Sequence, residues 1–149
     1  MSYQEFGAIF PEIAAKETRS VTLQHSCEGI PAGTYSFLEM FCTDPSCDCR
    51  RAMIRVVNEN SKTEAFLSYG WENRQFYVDW MGSDEMIDDI PGINVYPMQQ
   101  QGPYYLEILK LFQHVIQADP SYAERIQEHY KTSKKHQLEE ISTGSKVPV

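Results

Sequence analysis

Thr34-Tyr35-Ser36-Phe37-Leu38-Glu39-Met40-Phe41 decides the fold of this chain. Side chains alternate across an extended backbone, so Tyr35, Phe37, Glu39 and Phe41 share one face and Ser36, Leu38 and Met40 share the other. Working outward, Val21 to His25 alternates in the same way. Glu28-Gly29-Ile30-Pro31-Ala32-Gly33 between the two runs is turn chemistry. Downstream, Arg51–Val57 and Glu64–Trp71 read as further strands, separated by the polar loop Asn58-Glu59-Asn60-Ser61-Lys62. Glu72-Asn73-Arg74 is a short turn, and Gln75–Met81 reads as a fifth strand. Such evenly spaced runs with brief polar turns predict an antiparallel meander.

The pattern then changes period. Ser83–Ile90 predicts one acidic helical turn with Ser83 as N-cap, and Pro91–Gly102 reads as a loop. Pro103 suits a first helical position, and Tyr104, Ile108, Leu111 and Val115 recur at helical spacing. Asp119-Pro120 opens a second helix whose apolar stripe is Tyr122, Ile126 and Tyr130. The first nineteen residues predict a packed arm with one helical turn, because Gly7 and Pro11 interrupt Phe6, Ile9, Phe10 and Ile13. The expected fold is α+β: an antiparallel sheet of about five strands with two C-terminal helices packed on one face. One domain over residues 1–135 is expected, followed by a flexible tail over 136–149, where apolar residues thin out.

The chain has 149 residues and a formal net charge of −8. That charge repels phosphate backbones and anionic lipid surfaces, so neither a nucleic acid nor a membrane is an expected partner. Arg50, Arg51 and Arg55 and, later, Lys131, Lys134 and Lys135 are the local basic spots, read here as solvated charge. The start of the chain lacks the basic and apolar stretches of a signal peptide, and no apolar run is long enough to span a bilayer. The expected compartment is the cytoplasm, where thiols are kept reduced.

Three of the four cysteines lie in Cys42-Thr43-Asp44-Pro45-Ser46-Cys47-Asp48-Cys49, followed by Arg50-Arg51. In a reducing compartment this predicts a thiolate-held metal, with zinc as the cofactor, because tetrahedral zinc takes sulfur ligands readily. Asp44-Pro45 supplies a turn, Cys47 and Cys49 fall on one side of an extended backbone, and the arginines offset thiolate charge. Ligand chemistry favours Cys27 as the fourth ligand. The geometry of a plain hairpin opposes it, since about 3.3 Å per residue separates Cys27 from Cys42 by about 20 Å. His25, His129, Asp44, Asp48 and a water are the other candidates.

Phe41–Arg51 and the later Asp119-Pro120-Ser121-Tyr122-Ala123-Glu124-Arg125 to His129-Tyr130 stretch resemble a bacterial family of uncharacterised proteins. Some of its members carry an added SEC-C zinc motif. The resemblance implies a zinc-associated domain and carries no activity with it; a second cysteine cluster of the SEC-C kind is absent from this chain.

Other constellations point less sharply. Asp79, Asp84, Glu85, Asp88 and Asp89 lack the spacing of a calcium loop and read as a solvated helix start. Tyr69, Trp71, Phe76, Tyr77 and Trp80 read as sheet and helix packing rather than a base-stacking platform. Glycine-rich phosphate loops and familiar hydrolase motifs are missing. The expected function is therefore a zinc-stabilised, non-enzymatic domain that binds another protein. The alternative is an enzyme using the cysteines as an open-shell zinc hydrolase or a thiol redox site.

Overall fold

The alternating run Gly33–Cys42 forms the longest strand of an antiparallel sheet, and everything else is arranged on it. The computed structural model describes residues 2–144. In chain order the elements are β1 (Tyr3–Glu5), α1 (Phe6–Ile9), α2 (Pro11–Glu17), β2 (Ser20–Leu23), β3 (Gly33–Cys42), β4 (Arg51–Val57) and β5 (Thr63–Gly70). There follow α3 (Arg74–Met81), β6 (Gly92–Val95), α4 (Tyr105–Ala118) and α5 (Pro120–Gly144). The sheet order is β1-β3-β4-β5-β6, with β2 also on β3. Ser20↔Ser36 and Glu5↔Met40 lie on the same edge of β3, so β1 and β2 form one interrupted edge with the α1–α2 arm between them.

Tyr35, Phe37 and Phe41 join Ile54, Leu67 and Tyr69 on the sheet face that α4 and α5 cover with Ile108, Phe112, Tyr122, Ile126 and Tyr130. The expected architecture is thus observed, with five strands in the main path and two C-terminal helices packed against it. Phe37 meets Phe112 edge-on at 5.1 Å between ring centroids, one of several such contacts that interlock helix and strand. No described helix is long and apolar enough to cross a membrane.

Four local expectations are corrected. Gln75–Met81 is not a strand but lies within helix α3. The Asn73 side chain accepts from the Phe76 amide at 2.9 Å, a helix N-cap, and Gly82 ends the helix in the left-handed conformation at φ 73°. Capping outweighs the aromatic content that suggested a strand. Ser83–Ile90 is a series of turns rather than a helical turn: Ser83 Oγ accepts from the Glu85 amide at 3.1 Å, closing a short side-chain turn. Gly92–Val95, expected within a loop, pairs with β5 as β6. Pro11, read as an interruption, is instead the first residue of α2, where its missing N–H costs nothing.

In the expected tail, residues 136–144 continue α5, and His136 and Gln137 find partners on the body of the domain. Residues 145–149 of the expected tail lie outside the described residues.

Candidate metal centre

Cys42 is the last residue of β3, and β1 holds that end: Tyr3 pairs with Cys42 and the Thr43 amide donates to Ser2 O at 3.1 Å. The chain then turns. Asp44 Oδ1 accepts from the Ser46 amide at 2.9 Å and from Ser46 Oγ at 2.7 Å, and the Cys47 amide donates back to Asp44 O at 3.1 Å. This Asx-type turn swings Cys47 back toward Cys42.

Arg50 ends the connection with φ 47°, a left-handed conformation that costs a non-glycine residue about 1 kcal/mol or more. Two tyrosines hold it there. Tyr77 Oη from α3 donates to Arg50 O at 2.7 Å, and Tyr130 Oη from α5 accepts from the Arg50 amide at 3.2 Å. The Arg50 guanidinium is held in turn by Asp48 at 2.9 Å, by Glu72 at 3.5 Å and by the Phe76 ring at 4.4 Å. The backbone that presents Cys47 and Cys49 is therefore fixed from both sides.

The outcome is a triad of thiols. The sulfurs of Cys42, Cys47 and Cys49 all lie within 4.8 Å of one another. Cys49 Sγ and Cys42 Sγ are 3.6 Å apart, far beyond a disulfide bond of about 2.0 Å and close to the edge of about 3.8 Å for a tetrahedron with Zn–S arms of about 2.3 Å. All four cysteines are unpaired. Cys42 and Cys49 are buried, at 0% and 1% exposure, whereas Cys47 is partly exposed. Three close sulfurs of this kind could hold a metal ion.

Lys134, on α5, completes the electrostatics. Its Nζ donates to Cys42 Sγ at 2.8 Å and to Asp44 O at 2.8 Å, and Gln137 Nε2 donates to Cys42 O at 2.9 Å. The Cys49 thiol's hydrogen bond, partly opposed by burial and reinforced by Lys134, brings the Cys42 pKa down to about 5. Cys49 is pushed far up because it donates to Cys42 and is buried. Burial, then the Cys42 charge, pushes Cys47 up as well. The Cys49 hydrogen bond and the Lys134 contact thus favour the thiolate form at Cys42 over its two neighbours.

None of Cys27, His25, His129, Asp44 and Asp48 converges with the three sulfurs. Cys27 and His25 follow β2 beyond the Leu23↔Gly33 pair, whereas Cys42 closes the opposite end of β3; nine residue steps at about 3.3 Å place them about 30 Å apart. Cys27 is exposed and lines a separate cleft of about 280 Å³ with Glu107, Lys110 and His114. Asp44 is occupied by its own turn, and Asp48 by Arg50 and Tyr130 Oη. His129 has both nitrogens engaged elsewhere: Nδ1 lies 2.7 Å from Glu39 and Nε2 lies 2.8 Å from Glu17. Among the described residues no other group of three or more potential metal ligands converges, the acidic patch around Asp84–Asp89 included.

Sequence reasoning also misses neighbours of the triad. Lys134, expected as solvated charge, is half-buried against the Cys42 sulfur. The spacing Tyr130, Lys134, Gln137 continues the apolar stripe of α5, which is the signal that could have found it. The Glu39–His129–Glu17 cluster was missed too. A lone carboxylate on the apolar face of Tyr35, Phe37 and Phe41 demands a buried partner, and that demand points to a cation on a covering helix.

Comparison with family models, with curated proteins and with solved structures returns no match to this chain. The chain forms an α+β domain with three close thiols, two of them buried, at the β3–β4 connection.

Proposed function

We propose that Cys42, Cys47 and Cys49 bind one zinc ion, and that the ion staples the β3–β4 connection beneath α5 in a non-enzymatic domain that binds another protein. The observation that carries this reading is the sulfur geometry: two buried thiols 3.6 Å apart with a third within 4.8 Å. Soft sulfur ligands at that spacing suit zinc. Burial of two of the three sulfurs keeps a substrate away from the ion, which favours a structural role over a catalytic one. The net negative charge leaves another protein as the partner class, and the exposed apolar side chains Met81, Met86, Met98 and Leu106 offer contact surface. Unpaired thiols fit a reducing compartment, the cytoplasm of a bacterial cell.

A second reading has its own observation. Three ligands leave a fourth position open, as in catalytic zinc sites, and the Lys134 ammonium touches the Cys42 sulfur as it would in a reactive-thiol site. Untagged protein, analysed for metal and titrated for thiols before and after chelation, separates the cases. Near-stoichiometric zinc that shields three thiols supports the staple; no metal and four freely titrating thiols refute it. Cobalt substitution then tests the fourth position. A visible spectrum that shifts on adding imidazole or a small thiol reveals an open position and favours the enzyme.

A further inference from the structure

We propose that the same triad is an oxidation site for a hydroperoxide, in which Cys47 is the sulfur attacked and Cys42 closes a reversible disulfide onto it. The inference rests on the zinc reading for release of an ion, and on sulfur geometry alone for the crosslink. Cys47 is the one sulfur of the three on a partly exposed residue, while Cys42 and Cys49 are buried. An oxidant arriving from solvent therefore reaches Cys47 first.

The partner sulfur follows from local geometry. The Asx-type turn at Asp44–Cys47 folds the chain so that Cys47 lies within 4.8 Å of Cys42. Cys47 and Cys49 are separated by a single residue, and a disulfide closing so small a ring is strained. Cys49 lies 3.6 Å from Cys42 and is buried with it. The segment from Thr43 to Arg50 is neither helix nor strand, so the small sulfur displacement that a disulfide requires is confined to a connection. Lys134, 2.8 Å from Cys42 Sγ, holds the attacking sulfur in place.

The chemistry balances with the hydroperoxide as sole oxidant. The Cys47 sulfur attacks the terminal peroxide oxygen; an S–O bond forms, the O–O bond breaks, and the other oxygen leaves as an alcohol, or as water from hydrogen peroxide. The Cys42 sulfur then attacks the Cys47 sulfenic acid; an S–S bond forms, the S–O bond breaks, and the departing oxygen leaves as water. Two electrons pass from the sulfur pair to the peroxide, and two thiol protons end in the products. Two of the three sulfur ligands are consumed, so the site can no longer hold an ion, and Cys49 stays reduced. A small-molecule dithiol reverses the bond by exchange.

The test uses the full chain as purified, with hydrogen peroxide as the probe. Intact mass, peptide mapping, thiol titration and a chromophoric metal chelator are read together. The expected result is loss of two hydrogens, a Cys42–Cys47 link, loss of two titratable thiols, release of the bound ion and recovery with dithiothreitol. Peroxide consumption by Cys47→Ser is expected to fall about tenfold or more, and that by Cys27→Ser to stay unchanged. Oxidation confined to Cys27, a sulfinic acid on Cys47 without a crosslink, or a Cys47→Ser variant as fast as the parent overturns the inference. Wild-type readouts suffice if that variant does not fold. Metal held with no crosslink under excess peroxide sinks the oxidation site alone. A crosslink in protein that never held metal sinks the zinc reading alone.

Discussion

Replacing Glu39 by Gln weakens a latch that holds the N-terminal arm to the last helix. Glu39 is on β3 and Glu17 on α2; His129, on α5, lies between them at 2.7 and 2.8 Å, and its ring stacks on Phe6 at 4.2 Å between centroids. With both carboxylates accepting, both imidazole nitrogens carry a proton, and the ring is an imidazolium below its raised pKa. Burial opposes that charge, but the hydrogen bond and charge of Glu39, then those of Glu17, raise the His129 pKa above its ordinary value. Glu5, across a cavity of about 40 Å³, is already tied to Arg55 at 2.6 Å and does not compete. A group whose folded pKa is raised stabilises fully below its unfolded pKa of about 6.5, and that stability is lost as pH rises through the folded value. Glu39 is buried, so its charge-assisted bond contributes about 2 kcal/mol, whereas Glu17 is 43% exposed and its share is discounted for solvent to under about 1 kcal/mol. At pH 6 we expect Glu39→Gln to lower Tm by about 4–8 °C, at about 2–4 °C per kcal/mol for a chain of this size. Above the raised pKa the gap between the two proteins narrows, because the parent has lost the latch. Urea denaturation from pH 5.5 to 9.5, with metal occupancy held constant, measures both effects. Parallel stability curves for parent and Glu39→Gln across that range would show that the ring is not charged between its two carboxylates.

The remaining expectations test single contacts. Cys27→Ser leaves the bound metal unchanged while Cys49→Ser removes it, read by metal analysis of untagged protein, since only Cys49 belongs to the triad. Asn73→Ala deletes the α3 N-cap and costs about 1 kcal/mol, a Tm loss of about 2–4 °C; an unchanged Tm argues against the cap. Gly70→Ala puts a Cβ 2.5 Å from Ile90 O and 2.8 Å from Tyr77 Oη, and we expect a loss of about 1–3 kcal/mol in urea denaturation. Wild-type stability for Gly70→Ala shows that the β5 end yields without strain.

The legible parts of the fold were those in which local pattern and tertiary burial agree. Tyr35, Phe37, Glu39 and Phe41 alternate in sequence and all point into the core, and β4 matches its sequence reading over Arg51–Val57. The miss at Gln75–Met81 has a local cause. Phe76, Tyr77 and Trp80 favour a strand by composition, yet one amide bond to Asn73 and the left-handed Gly82 settle a helix. β6 and β1 were hidden because each is short, and pairing with β5 or β3, not propensity, makes them strands. The thiols of Cys42, Cys47 and Cys49 could be read because they are close in sequence. Plain-hairpin geometry already set Cys27 apart from Cys42, and β3 keeps the two at opposite ends.

What the sequence hid lies on α5, and the helix explains why. Its early stripe of Tyr122, Ile126 and Tyr130 is ordinary core. Beyond it the residues turn polar, which suggested an end to structure. Yet Tyr130, Lys134 and Gln137 lie at i, i+4 and i+7 and face the cysteine connection through Arg50, Cys42 and Asp44. His129 and His136, seven residues apart, face the arm instead, against Phe6 and Phe10. A polar segment gains too little from propensity to stay helical alone. Here it stays helical because one side grips the arm and the other the thiols. The latch at His129 and the triad at Cys42 are therefore adjacent loads on one helix. Loss of either should loosen α5 past Tyr130 first, and hydrogen exchange should show faster amides from Lys131 onward while those of α4 stay protected.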